Sequence, residues 1–243
     1  MSGISWVFVG LLVFFIGAAA FTALVAPVRQ GRNFVSAPVV KSYIGVDEFT
    51  DTDEGVIFNC VSVPNGPADK AGLVGGDVIL SFDGQPIKDE DQMDDLMTKT
   101  PIGKTVEIEY SRDGEKKKAQ LTTISNEDFR RIGKEFDRRP EGRGQFGYED
   151  RDAERVQVPG MNIYGVRLDS ILRSRPADLA GVKAKDIVIE FDGVPIRTND
   201  EFLMRVRRAL PYTTVKVVVM RPTSGEENAP LEKLEIPVKM GKQ

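Results

Sequence analysis

The chain has 243 residues, room for two domains of ordinary size, and at 41% hydrophobic and 29% charged residues it has the composition of a folded protein. Lys and Arg total 33 against 37 Asp and Glu, so the formal net charge of −4 offers no basic field to attract nucleic acid. There is no histidine, which excludes Ser-His-Asp and Cys-His nucleophile pairs and His-ligated metal sites.

The first element is apolar. From Trp6 to Ala26 there is no charged side chain, and 21 residues in a helix reach about 31 Å, the thickness of a bilayer's hydrocarbon core. The sequence therefore predicts a transmembrane helix within residues 1–28 and a polar juxtamembrane linker over 29–41. A cleaved signal peptide is the alternative, with Ala18-Ala19-Ala20 as the cleavage site, but Met1 to Ser5 lack the expected Lys or Arg. Arg29, Arg32 and Lys41 follow the span and no basic residue precedes it, so the positive-inside rule puts the soluble part in the cytoplasm. Gly10, Gly17 and Ala18 to Ala20 would allow neighbouring membrane helices close contact.

Beyond the linker, Gly55 to Val61 reads as a strand in which the single cysteine, Cys60, is a small buried hydrophobe. One cysteine permits no intramolecular disulfide and leaves the redox compartment open. At Pro67 a short Ala-rich helix opens with proline in its first turn and closes at Gly72. Asp77 leads into the apolar run Val78 to Phe82, which stops at Asp83-Gly84, a strong hairpin signal. Asp89 to Lys99 then reads as an amphipathic helix with Met93, Leu96 and Met97 on one face. Lys116 to Lys118 read as a solvated hairpin edge that discourages strand pairing.

Much of this recurs. PADKAGLVGGDVILSFDGQPI from Pro67 to Ile87 returns as PADLAGVKAKDIVIEFDGVPI from Pro176 to Ile196, a constant offset of 176 − 67 = 109 residues. The offset pairs Ala71 with Ala180, Asp77 with Asp186, Phe82 with Phe191 and Gly84 with Gly193. A period this long with a helix-strand-turn pattern indicates two copies of one small domain.

These repeated residues resemble the middle of a PDZ domain of the bacterial type, above all those attached to membrane-tethered, trypsin-like stress proteases of the HtrA kind. The resemblance covers most of residues 42 to 240. It implies an α+β, mostly β architecture of one transmembrane helix followed by two PDZ domains, small partly open antiparallel β-barrels with two helices each. The expected boundaries are 42–124 for the first PDZ domain, 125–143 for a charged linker and 144–240 for the second. The relatives hold such domains in the periplasm, which is the alternative to the cytoplasmic side.

The resemblance also implies a peptide groove. A PDZ domain adds an extended peptide, usually a free C-terminus, beside its own strand and holds the carboxylate on backbone N–H groups of a Gly-containing loop. In the first copy Tyr43-Ile44-Gly45-Val46 matches that loop, and Met93 and Met97 would line the groove from the helix. With no histidine at the start of that helix to select Ser or Thr, apolar side chains would select the ligand. In the second copy the best register places Gln145-Phe146-Gly147-Tyr148 at the loop, with Met161 to Gly165 as a rival placement. Adding 109 to Met93 and Met97 gives Phe202 and Val206 as groove residues. A charged insert, Glu149 to Arg155, sits near the peptide entrance, so this copy is expected to dock on a protein surface more than to capture free termini.

Between the copies, Asn126 to Arg143 is dense in both charges with several Gly and Pro, and reads as a brief helix over Asp128 to Phe136 inside an adjustable linker. Gly142 to Gly147 matches G-x-G-x-x-G but lacks the flanking strand and helix that a dinucleotide site needs. The acidic clusters Asp47 to Glu54 and Asp89 to Asp95 lack the pattern of a calcium loop.

No catalytic residues, metal or cofactor are expected. The function expected is a non-catalytic, single-pass scaffold of a bacterial inner membrane, an accessory or stabilising subunit of a larger complex. Its expected partners are membrane protein subunits, the lipid bilayer and C-terminal peptides, with no nucleic acid. The alternative is an adaptor that delivers the C-termini of clients to a separate membrane protease.

Overall fold

The structure is a computed structural model that describes residues 40–224 and 229–243. Trp6–Ala26, the expected span, lies outside the described residues, and no helix among those described is long and apolar enough to cross a membrane.

The first repeat runs β1 (Phe49–Asp51), β2 (Val56–Phe58), α1 (Pro67–Lys70), β3 (Val78–Phe82), β4 (Gln85–Pro86), α2 (Glu90–Lys99), β5 (Thr105–Arg112) and β6 (Glu115–Thr122). α3 (Asn126–Asp137) follows. The second repeat runs β7 (Gly144–Gln145), β8 (Ala153–Gln157), β9 (Tyr164–Leu168), α4 (Pro176–Ala180), β10 (Ile187–Phe191), β11 (Val194–Pro195), α5 (Asn199–Arg208), β12 (Thr214–Pro222), β13 (Leu231–Lys239) and β14 (Gly241–Lys242).

Each repeat forms an antiparallel six-stranded sheet: β1-β2-β3-β5-β6 with β4 on β3, and β13-β12-β10-β9-β8 with β11 on β10. β14 pairs with β7 in a small sheet of its own. The register repeats in detail, since β3 is bulged between Ile79 and Ser81 and β10 between Val188 and Glu190. The two Asp-Gly turns also match: Asp83 and Gly84 have φ of 52° and 78°, Asp192 and Gly193 of 50° and 82°, as a two-residue hairpin turn of this hand requires.

Each core is closed by its longer helix. α2 sets Met93, Leu96 and Met97 against Phe58, Ile79, Phe82 and Ile108, while α5 sets Phe202 and Val206 against Phe146, Val188, Phe191 and Val217. Both helices start on a capping side chain: Asp89 accepts from the Gln92 N–H and Thr198 from the Glu201 N–H.

The segment between the repeats is more ordered than its composition suggests. Ser125 caps α3, Phe129 lies 5.5 Å from the ring of Tyr43, and the Arg139 guanidinium stacks 4.4 Å from Phe136. Arg139 also donates to the carbonyls of Arg207 and Arg208 at 2.5 and 2.8 Å, where α5 leaves its last C=O groups without helical partners. The charges that make this stretch look like a free tether are thus partly used to cap a helix of the second repeat.

Candidate peptide-binding site

Tyr43 pairs with Ile124, which leaves the next residues free of any strand. Two carbonyls then fix the loop. The Ile44 C=O accepts from the Ala68 N–H at the start of α1 (2.8 Å), and the Gly45 C=O accepts from the Ser62 and Val63 N–H groups (3.1 and 3.3 Å). In a trans peptide the C=O and the following N–H point in opposite directions. Anchoring these two carbonyls therefore turns the Gly45 and Val46 N–H groups the other way, and among the described residues neither has an acceptor. Gly45 sits at φ +92°, a conformation natural to glycine. The result is a pair of adjacent backbone donors of the kind that holds a carboxylate. β1, which follows, is an edge strand of its sheet, so an extended peptide has backbone to pair with.

The second repeat builds the same turn. The Phe146 C=O accepts from the Ala177 N–H (2.8 Å) and the Gly147 C=O from the Leu172 N–H (3.0 Å), with Gly147 at φ +98°. This bonding aligns Phe146 with Ile44 and Gly147 with Gly45, whereas Met161 to Gly165 lead from a turn into β9. The surroundings differ. The Tyr148 ring lies 5.0 Å from Phe202 and 6.1 Å from Phe146, and its hydroxyl donates to Asp150 at 3.1 Å. Asn199 at the start of α5 donates from Nδ2 to the Ala153 C=O on edge strand β8 (2.7 Å). A side chain of the groove helix thus occupies the strand's carbonyl, and Tyr148 fills the space beside Phe202.

The remaining residues singled out in the sequence are mostly interior. Ile44, Met93, Met97, Phe146, Phe202 and Val206 are 1%, 0%, 4%, 1%, 0% and 5% exposed, whereas Tyr43, Val46 and Tyr148 are half-buried. The helix face expected to line each groove therefore closes the core. α2 and α5 have one apolar face each, and the barrel needs it.

A set of residues that sequence reading missed joins the repeats. The Glu201 side chain is fully buried, and its Oε2 accepts from the N–H groups of Val61 and Gly75 in the first repeat, both at 2.9 Å. Its Oε1 accepts from Arg205 Nε at 2.5 Å. Arg205 and Arg208 both reach Asp69 Oδ1 on α1, at 3.2 and 3.1 Å, and Arg208 also donates to the Val61 C=O. Thr198 donates to the Asn59 C=O, and Arg197 grips Asp113 with two bonds of 2.7 and 2.8 Å. Close approach demands glycine here: a Cβ on Gly75 would lie 2.8 Å from Thr198 Oγ1, as well as 1.9 Å from the Asn59 oxygen of its own repeat, and one on Gly76 would lie 2.6 Å from the Arg197 Cβ. A signal did exist, because the second repeat has Ala184-Lys185 where the first has Gly75-Gly76. Lys185 accepts φ +76°, so turn geometry alone does not require glycine at the matching Gly76.

Cys60 lies at this junction. Its thiol donates to Asp47 Oδ2 at 3.3 Å, and burial together with Asp47 pushes its pKa far above that of a free thiol. Burial raises Asp47 as well, against the hydrogen bonds it receives from Cys60 and Asn59. Among the described residues no group of three or more His, Cys, Asp or Glu side chains is placed to hold a metal ion.

Comparison with known proteins gives one family description, PDZ domain, matching residues 42–123 and 144–238. A probable periplasmic serine endoprotease, DegP-like, of Pseudomonas fluorescens is 28% identical over 162 residues, 65% of this chain and 33% of the relative. The magnetosome formation protease MamE of Magnetospirillum gryphiswaldense is 36% identical over 80 residues, 33% of this chain and 10% of the relative. Among solved structures, an HtrA-type protease, AlgW with decapeptide, aligns over 36% of this chain and 30% of its own at 25% identity and a TM-score of 0.34. The chain spans about a third of the length of the DegP-like relatives it matches.

Proposed function

Since the chain belongs to the PDZ domain family, with two such domains over most of its described length, we propose that it is a non-catalytic interaction protein of a bacterial membrane, an accessory or stabilising subunit whose first PDZ domain receives the C-terminus of a partner. The observation that carries this reading is the pair of N–H groups at Gly45 and Val46, beside edge strand β1, that have no acceptor among the described residues. The second domain has its edge carbonyl bonded by Asn199 and Tyr148 packed on Phe202, which supports a role as a brace and docking surface. Trp6–Ala26 supplies the membrane attachment in this account.

The test is fluorescence anisotropy with labelled heptapeptides ending in Val, Leu, Ile or Phe, each as free acid and as carboxamide. Free acids should bind at or below hundreds of micromolar and carboxamides much more weakly. Equal binding of the two forms, or none, removes terminus capture from the account.

A second reading is an adaptor that passes clients to a separate protease, favoured by the DegP-like endoproteases among the relatives. Those relatives are named periplasmic, and this supports the periplasmic side over the cytoplasmic side indicated by Arg29, Arg32 and Lys41. Alkaline phosphatase and fluorescent-protein fusions after Gln243 decide the side.

A further inference from the structure

The geometry points to Glu201 of the second domain as a positioning residue for the carboxylate-binding loop of the first, so that the first groove takes its peptide at full strength only while the two domains are docked. This rests on the reading of Ile44 to Val46 as a terminus-binding loop.

The route is short and made of hydrogen bonds. The loop's orientation depends on two carbonyls, Ile44 held by Ala68 and Gly45 held by Ser62 and Val63. Both anchors belong to segments that α5 grips. Glu201 holds the Val61 N–H, and Arg208 holds the Val61 C=O, immediately before Ser62. Arg205 and Arg208 hold Asp69 on α1, next to Ala68, while the other Asp69 oxygen accepts from the Asn65 N–H at 2.8 Å. The whole stretch from Val61 to Asp69 is therefore clamped from the second domain, and it holds the loop so that the Gly45 and Val46 N–H groups point away from their anchored carbonyls.

The clamp is built in one direction. The residue matching Glu201 in α2 is Gln92, which is used locally, its Oε1 accepting from the Lys88 N–H. Arg205 and Arg208 match Leu96 and Lys99, and Leu96 belongs to the core. In the second domain Asp178, the match of Asp69, accepts from the Ser174 N–H and has no guanidinium on it among the described residues. The repeats thus share the loop but only the first has it braced by the other's groove helix.

The experiment compares wild type with Glu201→Ala, Glu201→Gln and the double variant R205A/R208A, full chain in detergent, with folding checked by thermal melts. Two readouts are taken: affinity for the tightest free-acid heptapeptide of the panel, and the amide chemical shifts and hydrogen exchange of Gly45 and Val46. Alkylation of Cys60 by iodoacetamide reports whether the domains have separated. Glu201→Ala and the double variant should weaken peptide binding by about 5- to 100-fold, the usual range for coupled sites, and should move both amides and speed their exchange. Glu201→Gln keeps an acceptor for the Val61 and Gly75 N–H groups and should recover most of the affinity. Unchanged Gly45 and Val46 amides in variants that fold, with Cys60 reactive or not, overturn the inference. If wild type binds none of the peptides, the terminus reading fails, while the amide readout still decides whether Glu201 positions the loop.

Discussion

Asp77 and Arg112 close the first repeat with two hydrogen bonds of 2.6 and 2.7 Å between a fully buried carboxylate and a guanidinium. The same pair recurs 109 residues on as Asp186 and Arg221, both bonds at 2.7 Å, and in each case the arginine also donates to the glycine carbonyl after the short helix, Gly72 or Gly181. Removing one partner leaves a buried charge unpaired. Arg112→Ala and Arg221→Ala should each lower unfolding free energy by about 3 kcal/mol or more, read from urea denaturation. A loss under about 1 kcal/mol would mean the pair is an ornament of the fold.

Gly45→Glu should abolish binding of free-acid peptides. It puts a side chain at φ +92° with its Cβ 3.4 Å from Pro67 and 3.6 Å from Val63, and so forces a charged group against the segment that sets the loop's two N–H groups, at a stability cost of about 1–2 kcal/mol. Anisotropy and a thermal melt together separate lost binding from lost fold.

Tyr212 stands where the first repeat has Gly103, and both have positive φ, 66° and 81°. The tyrosine is 66% exposed, so it gains little packing for its strained backbone. Tyr212→Gly should stabilise the protein by about 1 kcal/mol, relief of strain exceeding the entropy cost of glycine. A fall in Tm would show that the ring has a contact worth more than the strain.

Cys60 and Tyr148 predict weakness in alkali. Burial, aided by Asp47 in one case and Asp150 in the other, raises both pKa values above their unfolded ones. From about pH 8.5 the unfolded thiol loses its proton while the folded one keeps it, and from about pH 10 the same holds for the phenol. The folded state then binds more protons, so stability should fall as pH rises, by about 1 kcal/mol per pH unit for each group. Urea midpoints at pH 7.5, 9 and 10.5 measure this. Cys60→Ala should remove the earlier decline and Tyr148→Phe the later one.

The repeat carried most of what could be read in advance. Proline at each helix start and Asp-Gly at each hairpin are local signals, and their doubling aligned the two copies position by position at an offset of 109. Met93 and Met97 show where such reading stops: spacing puts them on one face of α2, but whether that face meets core or groove depends on how far the helix sits from β1. The interface was beyond reach for another reason. Glu201 finds Val61 across 140 positions, and nothing local distinguishes a buried acceptor from a solvated glutamate on a charged helix. Only the single-copy glycines at 75 and 76 marked the place where another domain comes close.

In the function proposed above, the chain holds a partner at a membrane through its first PDZ domain. Purification of the tagged protein from its native membrane in mild detergent, as wild type and as Gly45→Glu, with quantitative mass spectrometry of what co-migrates, tests it most directly. One defined membrane complex in stoichiometric amount is expected with wild type, and its loss or depletion with the variant. Recovery of the same partners with both proteins, or of wild type alone, would contradict it.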